Sequence, residues 1–430
     1  MFNRYWIYLA LLLIPIAFVS DVRALLVISA LLLTIIPIAW LWNHLSLKQL
    51  TYQRAFGERR AFPGEIVDVT LRVSNQKLLP LGWLLVEDQW PPALPPEEGR
   101  LFLSPGGQVG YCLNAFSIRW YERINRRYRV RCTRRGFYPF GPARLASGDI
   151  LGLFRQQVKD DHLDWLIVYP HVLPLETLGF PPKEPFGEVK ASWRLFQDPS
   201  RAVGIRDYQP DDAFRHIHWK ASARRQELQV KVYEPTTSQN LVVFLNVTTM
   251  PKHWQGIRPL LMEKTISVAA SIANYAFEQR YEVGVVANGC IPHSDQPIKV
   301  LPSRRPDQLA RVLEALAAVT SFATSSIQTL LLAESPRLPW GSTLVVVTAV
   351  ITDELLDALL RLHEAGRRLV LVSLEEEPLT QELPPAIERG TYHLQVSQLP
   401  LNDKLLGATD EEAEWIPDFA PPIHFGGGSR

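Results

Sequence analysis

The sequence has few cysteines and no excess of either charge. Cys112, Cys132 and Cys290 are the only cysteines among 430 residues, and so sparse and odd a set provides neither a disulfide framework nor metal-ligand spacing. We therefore expect buried free thiols in a reducing compartment. Lysine and arginine number 45 against 44 acidic residues, so the chain lacks the basic excess typical of nucleic-acid-binding proteins.

The sequence also lacks a glycine-rich loop of the kind that cradles phosphate groups. The apolar run 241–245 is followed by Asn246-Val247-Thr248-Thr249-Met250, with no such loop before the next helical stretch. We therefore expect no nucleotide and no other small-molecule cofactor.

Two long apolar stretches open the chain. Residues 5–19 and 24–42 approach the roughly 20 residues that span the hydrocarbon of a bilayer, and only residues 20–23 connect them. Within a segment 1–45, this predicts an antiparallel pair of transmembrane helices, at about 3–20 and 23–43. The alternative is a cleaved signal peptide, with Val22 and Ala24 at its cleavage site, followed by one anchor.

Basic residues flank this hairpin. Arg4 precedes the first stretch, and Lys48, Arg54, Arg59 and Arg60 follow the second. The positive-inside rule then places both ends of the hairpin, and all that follows it, in the cytoplasm. We expect a two-pass protein of the inner or plasma membrane whose soluble domains are cytoplasmic.

Residues 46–158 have the pattern of an antiparallel, immunoglobulin-like β-sandwich. The run 66–73 alternates polar and apolar residues, and prolines and glycines separate it from similar runs at 81–86, 109–116 and 128–132. The basic run 123–135 is typical of a solvated strand face; contact with acidic lipid headgroups is the alternative. Residues 149–154, Asp-Ile-Leu-Gly-Leu-Phe, are interpreted as a turn that leads out of the sandwich.

Residues 237–406 alternate between apolar runs and helical patterns. Fully apolar runs are typical of parallel strands that are buried on both faces, and the stretches between them have helical spacing. The predicted strands are 241–245, 283–287, 344–347 and 369–372. This alternation predicts a doubly wound α/β sheet.

The connecting segment 159–236 contains a densely charged stretch with large aromatic residues. Three interpretations of this stretch remain open: ion pairs that hold two domains together, a docking surface for another protein, and an acid–base pair formed by His218 and Asp212. The residues assigned to this stretch are Arg206, Asp207, Tyr208, Asp212, Arg215, His218, Trp219, Ser222, Arg224, Lys231 and Glu234.

These residues carry a resemblance to a known family. Arg206-Asp207-Tyr208, Arg215, Ile217, Trp219 and Ser222-Ala223-Arg224, followed by Lys231 and Glu234, resemble the signature of the bacterial domain of unknown function 58 family. One departure is Asp211, where the family usually has glycine. The resemblance implies two membrane helices, a β-rich segment and a von Willebrand factor A-like domain, and it implies a MoxR-type AAA+ ATPase as the partner.

The resemblance also implies a place for a metal ion, where A-like domains have Asp-x-Ser-x-Ser. Those positions fall here on Asn246, Thr248 and Met250, which offer an amide oxygen, a hydroxyl and no hard ligand. Asp353 either supplies a late carboxylate or simply begins the next helix behind a Thr352 cap. We expect an A-like scaffold without metal, with magnesium as the candidate ion if the site binds one.

The function predicted from these features is that of an adaptor or chaperone-complex component. We expect a membrane-anchored cytoplasmic protein that is not an enzyme and that works through protein contacts with the ATPase. The alternative is a metal-dependent hydrolase at the membrane that uses the degenerate A-like site. Residues 407–430 are predicted to form a flexible tail.

Overall fold

The computed structural model forms two compact units, residues Met1–Val168 and Tyr169–Arg430. It describes residues 12, 15, 23–180, 197–209, 212, 214, 217–235, 240–251, 256–291, 296–375, 383–388 and 390–401. The predicted first membrane helix lies outside these ranges except for Leu12 and Pro15, and the predicted tail lies wholly outside them. The two-helix arrangement therefore remains a prediction.

One apolar helix, α1 (Arg23–Ser46), begins the described part of the first unit. Its segment Val27–Ser46 is long and apolar enough to cross a membrane. Ile36 and Ala39 are buried, whereas large apolar residues on its other faces, such as Leu31 and Ile38, are exposed. The helix thus presents one stripe to the protein and leaves the rest of its apolar surface uncovered by the described residues.

The rest of the first unit is β-structure, as the sequence predicts. Its strands are β1 (Leu50–Phe56), β2 (Arg60–Ala61), β3 (Ile66–Asn75), β4 (Leu81–Trp90), β5 (Leu101–Leu103), β6 (Gly110–Ile118), β7 (Arg123–Arg131), β8 (Gly136–Phe140), β9 (Ala143–Gly148), β10 (Arg155–Asp160) and β11 (Asp164–Val168). Two sheets, ordered β1-β3-β7 and β10-β9-β4-β6-β5, are joined by a third, ordered β2-β11-β8. Val73, Leu84, Phe116 and Leu145 belong to one core cluster between the first two sheets.

The strand pattern and the burial agree in this unit. Strand β3 alternates exposed or half-buried residues with buried ones along its whole length, which is the period-two pattern read from residues 66–73. Residues 149–154 form a turn, but it connects β9 to β10 inside the unit and does not lead out of it. The side chains of the basic strand β7 that point away from the core are exposed.

A buried lysine joins α1 to the β-structure. Lys77, in the turn between β3 and β4, donates from Nζ to the carbonyl oxygens of Ser46 and, at 2.5 Å, of Lys48. These carbonyls end or follow α1, where backbone acceptors lack helical partners. Burial lowers the pKa of Lys77 to about 8.

The second unit contains a mixed α/β sheet. Its strands are β12 (Gln197–Asp207), β13 (Gln229–Pro235), β14 (Asn240–Leu245), β15 (Glu282–Cys290), β16 (Pro297–Ser303), β17 (Thr343–Thr348), β18 (Arg368–Glu375) and β19 (Thr391–Gln395). Strands β12 and β13 form a separate hairpin, and the others form one sheet ordered β16-β15-β14-β17-β18-β19. All neighbours in that sheet are parallel except β15 and β16. The four predicted strands are confirmed as β14, β15, β17 and β18.

Helices cover both faces of this sheet. They are α2 (Trp219–Arg225), α3 (Pro259–Glu278), α4 (Gln308–Ala318), α5 (Ile327–Glu334), α6 (Asp353–Glu364) and α7 (Pro385–Glu388), of which α2 belongs to the hairpin. Val242 and Phe244 of β14 lie in one buried cluster with residues of α5 and α6. Helices α3 and α4 pack together against β14 and β15. Every residue of β14 and β17 is buried, as expected for strands covered on both faces.

Candidate functional site

The signature stretch folds as a β-hairpin with a short helix inserted. Strands β12 and β13 are antiparallel, with Arg206 opposite Val230 and Asp207 opposite Gln229. Helix α2 begins after His218, whose Nδ1 accepts a hydrogen bond from the backbone N–H of Ala221 at 3.1 Å. Ser222, which is buried, accepts from the backbone N–H of Gln229 at 2.9 Å and so ties α2 to β13. His218 and Ser222 therefore serve as a helix cap and a helix anchor.

One bidentate ion pair closes the connection that leaves β12. The guanidinium of Arg206 contacts both carboxylate oxygens of Asp212, at 2.6 and 2.5 Å, and this raises the pKa of Arg206. Asp212 also accepts from the backbone N–H of Gln209 at 2.9 Å. Asp207 accepts instead from the side-chain amide of Gln229 at 2.7 Å. Two of the predicted charged residues thus pair with each other, and a third has a neutral partner.

The other predicted members of the signature lie around this hairpin. Arg224 is exposed near the end of α2, and Lys231 is half-buried on β13. Arg215 lies outside the described residues, as does the Glu234 side chain. Their predicted ion pairs remain predictions.

Several large apolar side chains of the hairpin are exposed. Trp219, at the start of α2, is 67% exposed, and Phe214 is 72% exposed. The rings of Phe214 and Tyr208 are 6.0 Å apart. Ile205 on β12 and Leu228 just before β13 are exposed as well. We call these five residues the hairpin surface; Phe214 is a member that the sequence analysis missed, although an aromatic residue inside so polar a stretch was a usable signal.

A second candidate region lies at the carboxyl ends of β14 and β17. These two adjacent strands flank the point where the strand order of the sheet reverses, which is where open α/β sheets bind ligands. Here the structure brings together Asn246, Asn288 and Thr348, all of them buried. Asn246 donates to the Thr348 hydroxyl at 3.0 Å and accepts from the Asn288 amide at 2.9 Å.

We call Asn246, Asn288 and Thr348 the neutral network. The side-chain oxygen atoms of this neutral network already accept hydrogen bonds from within the protein. The Asn246 carbonyl also accepts from the backbone N–H of Thr248 at 3.2 Å, and the Asn288 carbonyl accepts from that of Val247 at 2.8 Å. The Thr348 hydroxyl accepts from the backbone N–H of Val350 at 3.1 Å and donates to its carbonyl at 2.7 Å. A cation would therefore have to displace hydrogen bonds inside the protein. The sequence analysis named Asn246 but not Asn288 or Thr348.

The remaining candidate ligands have other local roles. Asp353 is the first residue of α6, and the Thr352 hydroxyl caps that helix by accepting from the backbone N–H of Leu355 at 3.3 Å. Among the described residues, no group of three or more His, Cys, Asp or Glu side chains is arranged to hold a metal ion. This region offers amide and hydroxyl oxygens rather than the carboxylates that magnesium prefers.

The hairpin and the sheet fall within one family match. Residues 204–397 match the family model described as protein of unknown function DUF58. Over these residues the chain is similar to the DUF58 family. The DUF58 segment begins on β12 and extends past β19, so it contains both the hairpin surface and the neutral network.

The comparisons with whole proteins and with solved structures assign no activity to this chain. The uncharacterized protein YeaD of Bacillus subtilis (strain 168) is 26% identical over 336 residues, which is 77% of each chain. A CARDB domain from Pyrococcus furiosus has a TM-score of 0.20 at 11% identity, covering 28% of this chain and 91% of its own. The RO (RSR) protein of Deinococcus radiodurans has a TM-score of 0.24 at 16% identity, covering 41% of this chain and 35% of its own. These low structural scores support no conclusion about this chain.

Proposed function

We propose that this protein is a membrane-anchored cytoplasmic adaptor that works through protein contacts with a MoxR-type AAA+ ATPase, and that it is not an enzyme. The observation that carries this proposal is the hairpin surface. The class of the partner rests on the family resemblance alone.

Membrane anchoring is supported by the exposure of α1. Apolar residues on most of its circumference have no cover among the described residues, and a bilayer is the environment that makes such exposure favourable. In this proposal α1 pairs with a second membrane helix formed by residues 3–20. The membrane is the inner or plasma membrane, and the positive-inside rule places both units on its cytoplasmic side.

Protein docking is supported by the composition of the hairpin surface and by the contacts that hold it in place. Exposed tryptophan, tyrosine and arginine residues dominate the energetics of protein interfaces. Here Trp219 is presented by a helix that is fixed to β13, and the Arg206–Asp212 pair holds the segment that carries Phe214. A surface held in one conformation loses less entropy on binding than a mobile one.

The remaining parts are assigned supporting roles. We interpret the β-rich unit as an immunoglobulin-like spacer beside the membrane. We interpret the α/β sheet as a von Willebrand factor A-like scaffold that carries the docking hairpin. The neutral network favours this interpretation over the hydrolase alternative, because its buried oxygen atoms already accept hydrogen bonds.

The proposal is tested by capture of the partner on the intact chain. The full chain in nanodiscs is mixed with the purified MoxR-type ATPase, with a nonhydrolysable ATP analogue and magnesium or without nucleotide. We expect nucleotide-dependent binding that Trp219→Ala and Phe214→Ala each weaken at least about tenfold, since hot-spot truncations cost about 2 kcal/mol or more. Phe102→Ala, an exposed aromatic change on β5 of the other unit, is the matched control and leaves binding unchanged.

Two outcomes would overturn the proposal. Absence of binding under both conditions removes the adaptor role. Calorimetric binding of magnesium or manganese that is lost in both Asn246→Ala and Asp353→Ala would instead support the metal-dependent hydrolase.

A further inference from the structure

The turn between β9 and β10, residues 149–154, has its backbone donors satisfied from within. The buried carboxylate of Asp149 accepts from the backbone N–H groups of Leu151 at 2.9 Å, Leu153 at 3.2 Å and Phe154 at 2.6 Å. The N–H of Gly152 is directed to the Asp149 carbonyl at 3.4 Å. One side chain therefore accepts hydrogen bonds from three backbone N–H groups of the turn.

This turn lies against the side of α1. Phe154 is buried in one cluster with Ile36 and Ala39, and Leu32 and Leu153 pack against the same cluster. With a rise of about 1.5 Å per residue, the contacted part of α1 lies roughly 10–20 Å from the end of the helix at Ser46. The turn therefore reaches well up the apolar helix instead of stopping at its end.

The outer side of the turn is apolar and uncovered. Ile150 is 66% exposed and Leu151 is 62% exposed. Ile38 and Trp40, at a similar height on α1, are exposed too. Exposed apolar residues thus occur on both the helix and the turn. The guanidinium of the neighbouring Arg155 lies over the Trp83 ring, 5.9 Å from its centre.

We propose that residues 149–154 form a lipid-inserted turn, which enters the bilayer beside α1 with Ile150 and Leu151 among the acyl chains near the headgroup boundary. The proposal rests on the membrane anchoring given under the proposed function. Non-helical backbone is tolerated at such a depth only where its polar groups are satisfied by protein. Asp149 satisfies the N–H groups of Leu151, Leu153 and Phe154. Apolar residues of interfacial elements are buried about 5–10 Å into this boundary. The residues that the turn contacts on α1 lie within the apolar segment Val27–Ser46.

A second group of exposed residues lies close to the end of α1, where the helix would leave the bilayer. Lys77 contacts the end of α1, and its carbonyl accepts from the backbone N–H of Tyr121 at 3.3 Å. The exposed Trp120, Tyr121 and Leu78 therefore lie near the level at which α1 leaves the bilayer. Tryptophan and tyrosine are enriched at that level of membrane proteins.

The test measures the depth of single spin labels on the full chain in nanodiscs of phosphatidylcholine and phosphatidylglycerol. Nitroxides are placed at Leu151→Cys, at Leu33→Cys as the reference on α1, and at Leu103→Cys as the exposed reference on β5. The three native cysteines are buried, so the introduced thiol is the one that reacts. The quantity measured is the collision rate of each label with oxygen, which partitions into lipid, relative to a water-soluble nickel chelate.

We expect the Leu151 label, like the deeper Leu33 label, to have an oxygen-to-nickel ratio several-fold above that of the Leu103 label. Should Leu151→Cys fail to fold, Ile150→Cys gives the same readout. A Leu151 ratio equal to that of Leu103, with Leu33 in lipid, overturns the insertion but leaves the anchoring intact. Low collision with both reagents shows that protein covers the turn and also overturns the insertion. A water-exposed Leu33 label overturns the anchoring itself.

Discussion

The guanidinium of Arg54 lies 2.6 Å from the carboxylate of Asp88, and neither side chain is exposed. Nε of Arg54 also donates to both Asp88 oxygens at 3.0 Å, and the Tyr52 hydroxyl and the Trp90 indole donate to the same carboxylate. Arg54 further contacts Asp164 at 3.4 Å. This buried charge cluster connects β1, β4 and β11 in the core of the β-rich unit.

Breaking this pair is expected to destabilise the β-rich unit strongly. Arg54→Met leaves the Asp88 carboxylate buried without its counter-charge, and such removals cost about 3–5 kcal/mol of unfolding free energy. Arg59→Met is the control, because Arg59 pairs with Asp164 at 3.2 Å while its own side chain is 66% exposed. We expect the control to cost less than about 1 kcal/mol. Denaturant unfolding followed by tryptophan fluorescence measures both, and equal losses would contradict the assignment.

The neutral network is expected to be a stabilising element of the α/β sheet. Asn246→Ala leaves Asn288 and the Thr248 N–H without their acceptor, which should cost about 1–3 kcal/mol. Asn274→Ala removes an exposed amide that bonds to Glu278 on α3, and we expect a change within about 0.5 kcal/mol. Thermal unfolding compares the two variants.

Magnesium is expected to leave the thermal midpoint of the wild-type protein unchanged. An ion that binds the folded state raises the midpoint in proportion to its affinity, and the network holds no carboxylate that would attract one. Differential scanning calorimetry with magnesium or with a chelator measures this. A rise with magnesium that Asn246→Ala abolishes would show that the network binds the ion.

The lysine at the end of α1 predicts a dependence of stability on pH. Burial lowers the pKa of Lys77 to about 8, from the ordinary 10.5, so between these values the unfolded chain binds more protons than the folded chain. Stability from this group therefore rises as pH increases from about 8 to 10.5, by at most about 3 kcal/mol, and by less to the extent that the carbonyls of Ser46 and Lys48 stabilise the charged amine. The measured quantity is the difference in unfolding free energy between wild type and Lys77→Met across this range. A constant difference would contradict the prediction.

The native thiols are expected to react slowly. Burial raises the pKa of Cys132 to about 12 and also raises that of Cys112, so little thiolate is present near neutral pH. Titration with an aromatic disulfide reagent should therefore give little reaction for the folded chain and three thiols after denaturation. A thiol that reacts rapidly in the folded chain would contradict the burial of the cysteines.

The sequence was informative wherever one strand or helix determines its own pattern. The alternation of residues 66–73 predicts β3, and the apolar runs predict β14 and β17, because burial of one or both faces is visible in the local order of residues. Strand β16 escaped prediction because its two prolines, Pro297 and Pro302, weaken the pattern, and an edge strand tolerates them.

Contacts between residues that are far apart in the sequence could not be predicted from the local order of residues. Arg54 was assigned from the sequence to the charges that orient the membrane hairpin, and nothing near it pointed to Asp88, which lies 34 positions away. Asn288 joined the candidate region only because β14 and β15 are neighbours in the sheet. In both cases the partner is set by the topology of the sheets, which a single sequence does not display.

The double attachment of α1 has a mechanical consequence. Lys77 contacts the end of the helix, and Phe154 packs against its side at Ile36 and Ala39. We therefore expect the helix and the β-rich unit to move together as one rigid body. Membrane helices respond to a thicker or thinner bilayer by changing their tilt. In the proposed membrane orientation, a change in bilayer thickness would therefore rotate the β-rich unit together with α1, and the orientation of this unit would depend on the thickness of the bilayer.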